Sequence, residues 1–259
     1  MVQRVITASI LLAVILGCTL QGGLFLWGLL IVITGLSGYE LGKMLFSSKT
    51  HVIATTLINV LLLLLYPKFE FLWTHYVTYI ILSISWILFY VELKSKSMSR
   101  SIVLGYFKSI ILISFSFPYI MLILSKSQGL FLLLLLCITI WLCDTFCLLV
   151  GKQIGSSHLS IASPNKTIEG SAGGVIGSVA CTWLFLWTQN QFYYPLIMLP
   201  FIMSMVSQIG DLYESHLKRR ADVKDSSTLL PGHGGILDRT DSFLIGLPMY
   251  YILLSILGL

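Results

Sequence analysis

The sequence predicts an all-α, polytopic integral membrane protein with about nine transmembrane helices and a cytoplasmic N-terminus. Three observations carry that reading. Of 259 residues, 56% are hydrophobic and only 10% charged, whereas soluble domains carry about 25% charged residues. Apolar runs long enough to cross a bilayer core, about 17 to 25 residues each, recur along the whole chain. The basic residues fall in alternate gaps between those runs, as the positive-inside rule requires.

Taken in order, the first two runs are 5–20 and 23–42, with Arg4 before them and Lys43 and Lys49 behind. Arg4, the apolar stretch and Ile15-Leu16-Gly17-Cys18 loosely resemble a lipoprotein cleavage box. Cleavage would remove a span that the charge alternation uses, so the segment is expected to be retained. The next runs are 52–66, 71–91 and 102–124, separated by Lys68 and Glu70 and then by the cluster Lys94, Lys96 and Arg100. Four more follow at 130–150, 168–188, 194–214 and 241–259, with polar interruptions at 151–167 and 214–240. On this topology 14 of the 16 Lys and Arg residues face the cytoplasm, Lys68 and Lys126 excepted, and Glu70 is the one acidic residue outside. The localisation read from this is the cytoplasmic (inner) membrane, multi-pass, with any active site facing the cytoplasm.

The chain has no polar domain, long linker or low-complexity tract, so 1–259 reads as one membrane domain: generic spanning helices over 1–125 and a functional region over 140–245. The net charge of +5 follows from topology and attraction to anionic lipid; it does not point to nucleic acid. Cys18, Cys137, Cys143, Cys147 and Cys181 all lie in apolar runs, where a thiol behaves as a small hydrophobe. Cys143 and Cys147 share a helix face, but no His or second Cys pair accompanies them as metal ligands. Glu40, Glu92 and the Lys94–Arg100 cluster are read as marks of topology.

The functional region is different because its charges are concentrated. Residues 211–241 hold eleven of the 27 charged side chains, although each charge taken into hydrocarbon costs about 2.5 to 3.5 kcal/mol even on lenient scales. Asp144 lies inside the cytoplasmic end of its span. Ser163-Pro164 reads as an N-cap with proline in the first helical turn, and Lys166 beside a helix start makes a phosphate seat. Gly170/Gly174 and Gly173/Gly177 are each spaced by four, which lets a second membrane helix approach closely. Helical period puts Asp211, Ser215 and Lys218 on one face with Glu214 close by. Gly232, Gly234 and Gly235 around His233 free the backbone to turn N–H groups toward an anion. Asp238 and Asp241 are one helical turn apart; alone, they would be a cap and a dipole partner.

One cap needs one carboxylate. Asp144, Asp211, Asp238 and Asp241 beside Lys166, Lys218, Arg219, Lys224 and Arg239 instead suit Mg²⁺ with phosphates, since Mg²⁺ is held by one or two carboxylates plus substrate oxygens. The sequence leaves open whether one metal ion or a second beside it binds. This is a phosphoryl-transfer inventory at a lipid interface.

The stretch Ser215-x-Leu217-Lys218-Arg219, then Lys224-Asp225-x-Ser227, then Leu230-Pro231-x-His233-Gly234-Gly235-Ile236-x-Asp238-Arg239-Thr240-Asp241 resembles the signature of phosphatidate cytidylyltransferases, the CDP-diacylglycerol synthases. Gly210-Asp211 and Ser163-Pro164-x-Lys166-Thr167 resemble further blocks of that family, so the likeness covers about 140–245. Thr145-Phe146-Cys147 and Asn165 depart from its usual residues. The resemblance implies transfer of CMP from CTP to phosphatidic acid with Mg²⁺, releasing pyrophosphate. It implies Asp211, Asp238 and Asp241 as metal ligands or their neighbours, with Asp144 as a fourth. Lys166, Lys218, Arg219, Lys224 and Arg239 would neutralise phosphate, His233 would face the leaving group, and Ser215, Gly234 and Gly235 would line the substrate. The expected partners are CTP, phosphatidic acid and the bilayer, and a homodimer is compatible with the pattern. The alternatives are a CTP-dependent lipid-alcohol kinase, which would attack the terminal phosphorus, and a transporter, whose polar groups would be expected near mid-bilayer.

Overall fold

The computed structural model describes residues 2–68, 83, 84, 87, 102–160, 163–191 and 194–259. Apart from residues 83, 84 and 87, the span expected at 71–91 lies outside the described residues, as does the Lys94–Arg100 cluster. The described helices are α1 (Val2–Gln21), α2 (Gly23–Leu45), α3 (Lys49–Leu65), α4 (Ile102–Ser109), α5 (Tyr119–Leu124), α6 (Gly129–Ile154), α7 (Ile168–Thr188), α8 (Tyr194–Arg220) and α9 (Leu237–Ile256). Six stretches among them are long and apolar enough to cross a membrane: Gly23–Leu45, Lys49–Lys68, Ile102–Leu124, Gly129–Ile154, Ile168–Thr188 and Pro195–Arg220. Each falls on an expected run, and the shorter apolar helix Ile6–Gln21 falls on another. The chain is a helical, multi-pass membrane protein.

Backbone contacts divide the chain into two compact units: Met1–Pro118 with Leu217–Thr240, and Tyr119–His216 with Asp241–Leu259. In the first unit, α2 buries Leu26, Leu30, Thr34, Ser37 and Leu41, a helical stripe, and α3 buries Val52, Thr55, Asn59 and Leu63. Lipid is as apolar as leucine, so helices in it are joined by close packing and by hydrogen bonds rather than by hydrophobic burial. Asn59 supplies such a junction. Its Nδ2 donates to the Thr55 carbonyl at 2.9 Å and to Ser109 Oγ at 2.7 Å, and its Oδ1 accepts from Ser114 Oγ at 2.5 Å. Membrane hydrogen bonds average only about 0.6 kcal/mol each, so the network fixes register more than it adds stability. The run expected as one helix over 102–124 is interrupted by a π-helical turn, Ile110–Ser114, which carries one of the two serines that meet Asn59.

In the same unit, Thr7 Oγ1 donates to the Pro231 carbonyl at 3.3 Å and Ser226 Oγ donates to Glu40 at 2.9 Å. The first turns of α1, the end of α2 and the 221–236 loop therefore share one end of the unit.

In the second unit, α6 packs closely along α7. A Cβ on Gly170 would lie 2.8 Å from the Cys147 carbonyl oxygen, and one on Gly174 would lie 3.0 Å from that of Cys143. The small residues serve helix approach, as their spacing predicts. Gly174→Val should cost about 1 to 3 kcal/mol by overpacking and lower the thermal unfolding temperature in detergent, while Gly28→Val, at a site with nothing within 4 Å, should not. On α8 the buried positions Leu196, Leu199, Met203, Val206, Gly210 and Tyr213 alternate three and four apart, the stripe that places Asp211 beside the packed face. Tyr250 of α9 donates to the Leu132 carbonyl at 2.8 Å.

One expectation is overturned here. Ser163-Pro164 does not start a helix: Ser163–Thr167 is a β-strand (β2), antiparallel to His158–Ser160 (β1). The helix begins at Ile168, and its cap is Thr167, whose side chain accepts from Gly170 N at 3.1 Å. Proline is tolerated in a two-stranded hairpin because an edge strand needs no N–H on its outer side. Glu169 accepts from Ser156 N at 3.1 Å and from Ser156 Oγ at 2.7 Å, tying the hairpin to the first turn of α7.

Candidate functional site

The second unit holds a cavity of about 360 Å³ lined by Asp144 and Cys147 of α6, Asn165 and Lys166 of β2, Ser171 of α7, and Gln208 and Asp211 of α8. Each element contributes for a local reason. The hairpin carries Lys166 across to α8, where its Nζ donates to Asp211 Oδ2 in an ion pair. One turn on, Ser215 Oγ donates to Asp211 Oδ1 at 3.4 Å. Gln208 Nε2 donates to the Ser171 carbonyl at 3.2 Å, and Ser171 Oγ donates to Gln208 Oε1 at 2.5 Å, so α7 and α8 are fixed beside the opening. Lys166 and Asp211 keep 30% and 24% of their side chains exposed. A pair that open to water is worth about 1 kcal/mol or less, so an incoming phosphate can compete for the lysine.

Asp241 belongs to the same unit. Gly210 leaves room for it: a Cβ there would stand 2.9 Å from the Asp241 carbonyl oxygen. The Asp241 carboxylate accepts from Ser242 N at 2.6 Å, and Asp211, Glu214 and Asp144 lie within Coulombic reach of it. The unit thus gathers Asp144, Asp211, Ser215, Lys166 and Asp241, while Lys218, Arg219, Lys224, His233, Asp238 and Arg239 belong to the first unit.

The donor set can be tested against Mg²⁺ directly. Among the described residues, no three His, Cys, Asp or Glu side chains form a ready-made metal cage. Mg²⁺ does not require one, because it takes one or two carboxylates and completes its shell with water and substrate phosphates. Carboxylates that repel one another with Lys166 as the nearby cation fit an added cation.

The loop of the first unit is held from within. Asp238, at the start of α9, accepts from Lys218 Nζ at 2.7 Å, Ser226 N at 2.9 Å, Ser226 Oγ at 3.0 Å and Gly235 N at 2.7 Å. Asp238 lies before the apolar run that begins at Asp241. Burial pushes its carboxyl up, but the Lys218 ammonium and these N–H donors outweigh burial and hold it below the usual carboxylate range. In this conformation protein donors engage both Asp238 oxygens, which makes Asp238 an organiser of the loop. Gly232 and Gly234 adopt φ of 75° and 80°, and Leu230 N and Gly234 O close the turn at 2.8 Å. Arg239 Nε and Nη2 donate to the His233 carbonyl at 3.0 and 2.8 Å. His233 Nδ1 is buried with no hydrogen-bond partner among the described residues. Arg219 Nη1 donates to the Val223 carbonyl at 3.1 Å, and Lys224 is exposed. Gly235 is packed so closely that a Cβ would collide with Ser226 Oγ and Glu40 Oε2.

Three contributors are absent from the sequence-based set. Ser226 stands at a position the signature leaves open. Gln208 looks like a stray polar residue in an apolar run. Glu40, read there as a mark of topology, is 2% exposed and bonded to the loop. Only intramembrane polarity could have flagged the last two.

Residues 2–257 match the cytidylyltransferase family. The chain belongs to the cytidylyltransferase family. Its relatives include the phosphatidate cytidylyltransferase of Bacillus subtilis (strain 168), 43% identical over 150 residues, which make up 56% of each chain. That of Staphylococcus haemolyticus (strain JCSC1435) is 45% identical over 133 residues, 50% of this chain and 51% of the relative. That of Staphylococcus saprophyticus subsp. saprophyticus is 44% identical over 133 residues. The chain spans about half the length of the curated relatives it matches. The cytidylyltransferase match takes in both the Asp211 cavity and the glycine loop.

Proposed function

We propose that the chain transfers CMP from CTP to phosphatidic acid, giving CDP-diacylglycerol and pyrophosphate. The observation that carries the reading is the Lys166–Asp211 pair on an open cavity, with Asp241 in reach, in a chain of this family. A phosphate oxygen of phosphatidic acid attacks the α-phosphorus of CTP. A new P–O bond forms, the bond from that phosphorus to its β-bridging oxygen breaks, and pyrophosphate leaves with the electron pair. A phosphate monoester is anionic near neutral pH, so the step needs alignment and charge neutralisation rather than a strong base.

The roles follow from the chemistry of each group. Lys166 exchanges Asp211 for a phosphate oxygen, and Ser215 keeps the Asp211 carboxylate oriented. Asp211 and Asp241, with Asp144 beside them, would hold Mg²⁺, which when bound supplies Lewis-acid charge to phosphate oxygens. Arg219, Lys224 and Arg239 neutralise phosphate charge at the loop, Lys218 and Asp238 brace it, and His233 donates to the leaving pyrophosphate. The protein sits in the cytoplasmic membrane with nine spans, its N-terminus and site on the cytoplasmic side.

The test is purified protein in detergent with CTP, Mg²⁺ and phosphatidic acid. The expected result is lipid-dependent pyrophosphate release with a lipid product heavier by CMP. Solute flux in liposomes with no nucleotide turnover would replace the reading with a transporter.

A further inference from the structure

Glu40 belongs to no motif, yet it is the most heavily bonded side chain of α2. Each of its oxygens takes one serine hydroxyl and one backbone N–H. Oε1 accepts from Ser227 Oγ at 2.6 Å and Ile236 N at 3.1 Å; Oε2 accepts from Ser226 Oγ at 2.9 Å and Leu237 N at 2.8 Å. Two of the four donors are consecutive amides at the start of α9, groups a helix leaves unpaired. Their acceptor comes from 196 and 197 residues earlier in the chain. Ser226 N donates to Asp238 at 2.9 Å, so Glu40 holds this serine by its hydroxyl while Asp238 holds it by its backbone.

We infer that Glu40 is the positioning residue of the glycine loop, fixing the turn from Ser226 to Leu237 and with it the stance of Lys224, His233 and Arg239. The inference rests on the reading of that loop as phosphate-binding. Glu40 itself touches no phosphate in this account; it acts through the turn. The chemistry requires an acceptor on both arms. A glutamine of the same shape can offer one carbonyl oxygen, so in either orientation its NH₂ faces a backbone N–H that cannot accept. Gly235 shows how tightly the arrangement is built, since any Cβ there would strike the Glu40 carboxylate.

The test compares full-length wild type, Glu40→Gln and Ser227→Ala in detergent, by hydrogen exchange and by steady-state kinetics. In Glu40→Gln the amides of 226–237 should exchange at least tenfold faster while those of 52–63 in α3 keep their protection. The KM for CTP should rise at least fivefold with little change in the KM for phosphatidic acid, a split that general loss of folded protein would not produce. Ser227→Ala should raise the KM for CTP in the wild-type background but add little to Glu40→Gln, because both changes break the same tie. Unchanged exchange over 226–237, or a loosened loop with an unchanged KM for CTP, would overturn the inference. Wild-type protein that turns over no CTP sinks the transferase reading instead, and the exchange comparison still decides whether Glu40 holds the loop.

Discussion

Asp241→Asn should abolish turnover, lowering phosphatidate-dependent pyrophosphate release about 10²- to 10³-fold, the scale on which one group that stabilises transition-state charge acts. It should do so without unfolding the protein. An amide of the same shape keeps the packing of Asp241 and puts no charge beside Asp211, Glu214 and Asp144, so the variant should unfold in detergent at or above the wild-type temperature. Loss of function with gain of stability is the usual mark of a group kept for chemistry rather than for packing. A folded Asp241→Asn protein with near wild-type turnover would remove Asp241 from the site. Asp211→Asn makes a useful contrast, because it strips Lys166 of its ion-pair partner; it should lose activity without the gain in stability.

Asp238→Ala should fail differently, through the loop. The change deletes the acceptor of Lys218 Nζ, Ser226 N, Ser226 Oγ and Gly235 N together. Lys218, with 12% of its side chain exposed, then loses the Asp238 carboxylate, and the lost hydrogen bonds should destabilise the loop by about 1 to 3 kcal/mol. Trypsin should cut at Lys224 at least tenfold faster than in wild type, and turnover should fall with it. Asp238→Asn, which keeps one acceptor oxygen, should lie between the two. Wild-type resistance to trypsin in Asp238→Ala would mean that the loop is held elsewhere.

What could be read in the sequence follows the range of each interaction. The membrane class, the six matching spans and the small-residue contact of α6 with α7 are legible because they depend on composition and on spacings of a few residues. The signature from Ser215 to Asp241 is legible for the same reason, as its turns, cap and glycines are local. Ser163-Pro164 misled because the cap preference of serine is real but weak, and Thr167, four residues on, offers an equivalent oxygen with Gly170 N in reach. Glu40 was opaque because its partners lie 186 to 197 residues away, and nothing in its own neighbourhood distinguishes a loop-bracing carboxylate from one that marks a membrane edge. The resemblance implies Asp238 as a metal ligand or the neighbour of one; its bonds to Lys218 and two backbone amides belong to the folded turn and leave no mark in the spacing.

The most direct measurement is the fate of each phosphorus of CTP. Purified protein with phosphatidic acid and Mg²⁺ is given CTP labelled at the α-phosphorus in one reaction and at the γ-phosphorus in another. CMP transfer puts the α-label in the lipid and releases the γ-label as pyrophosphate, both in proportion to the phosphatidic acid consumed. Label passing from the γ-position to a lipid, with CDP released, would contradict it and make the chain a kinase.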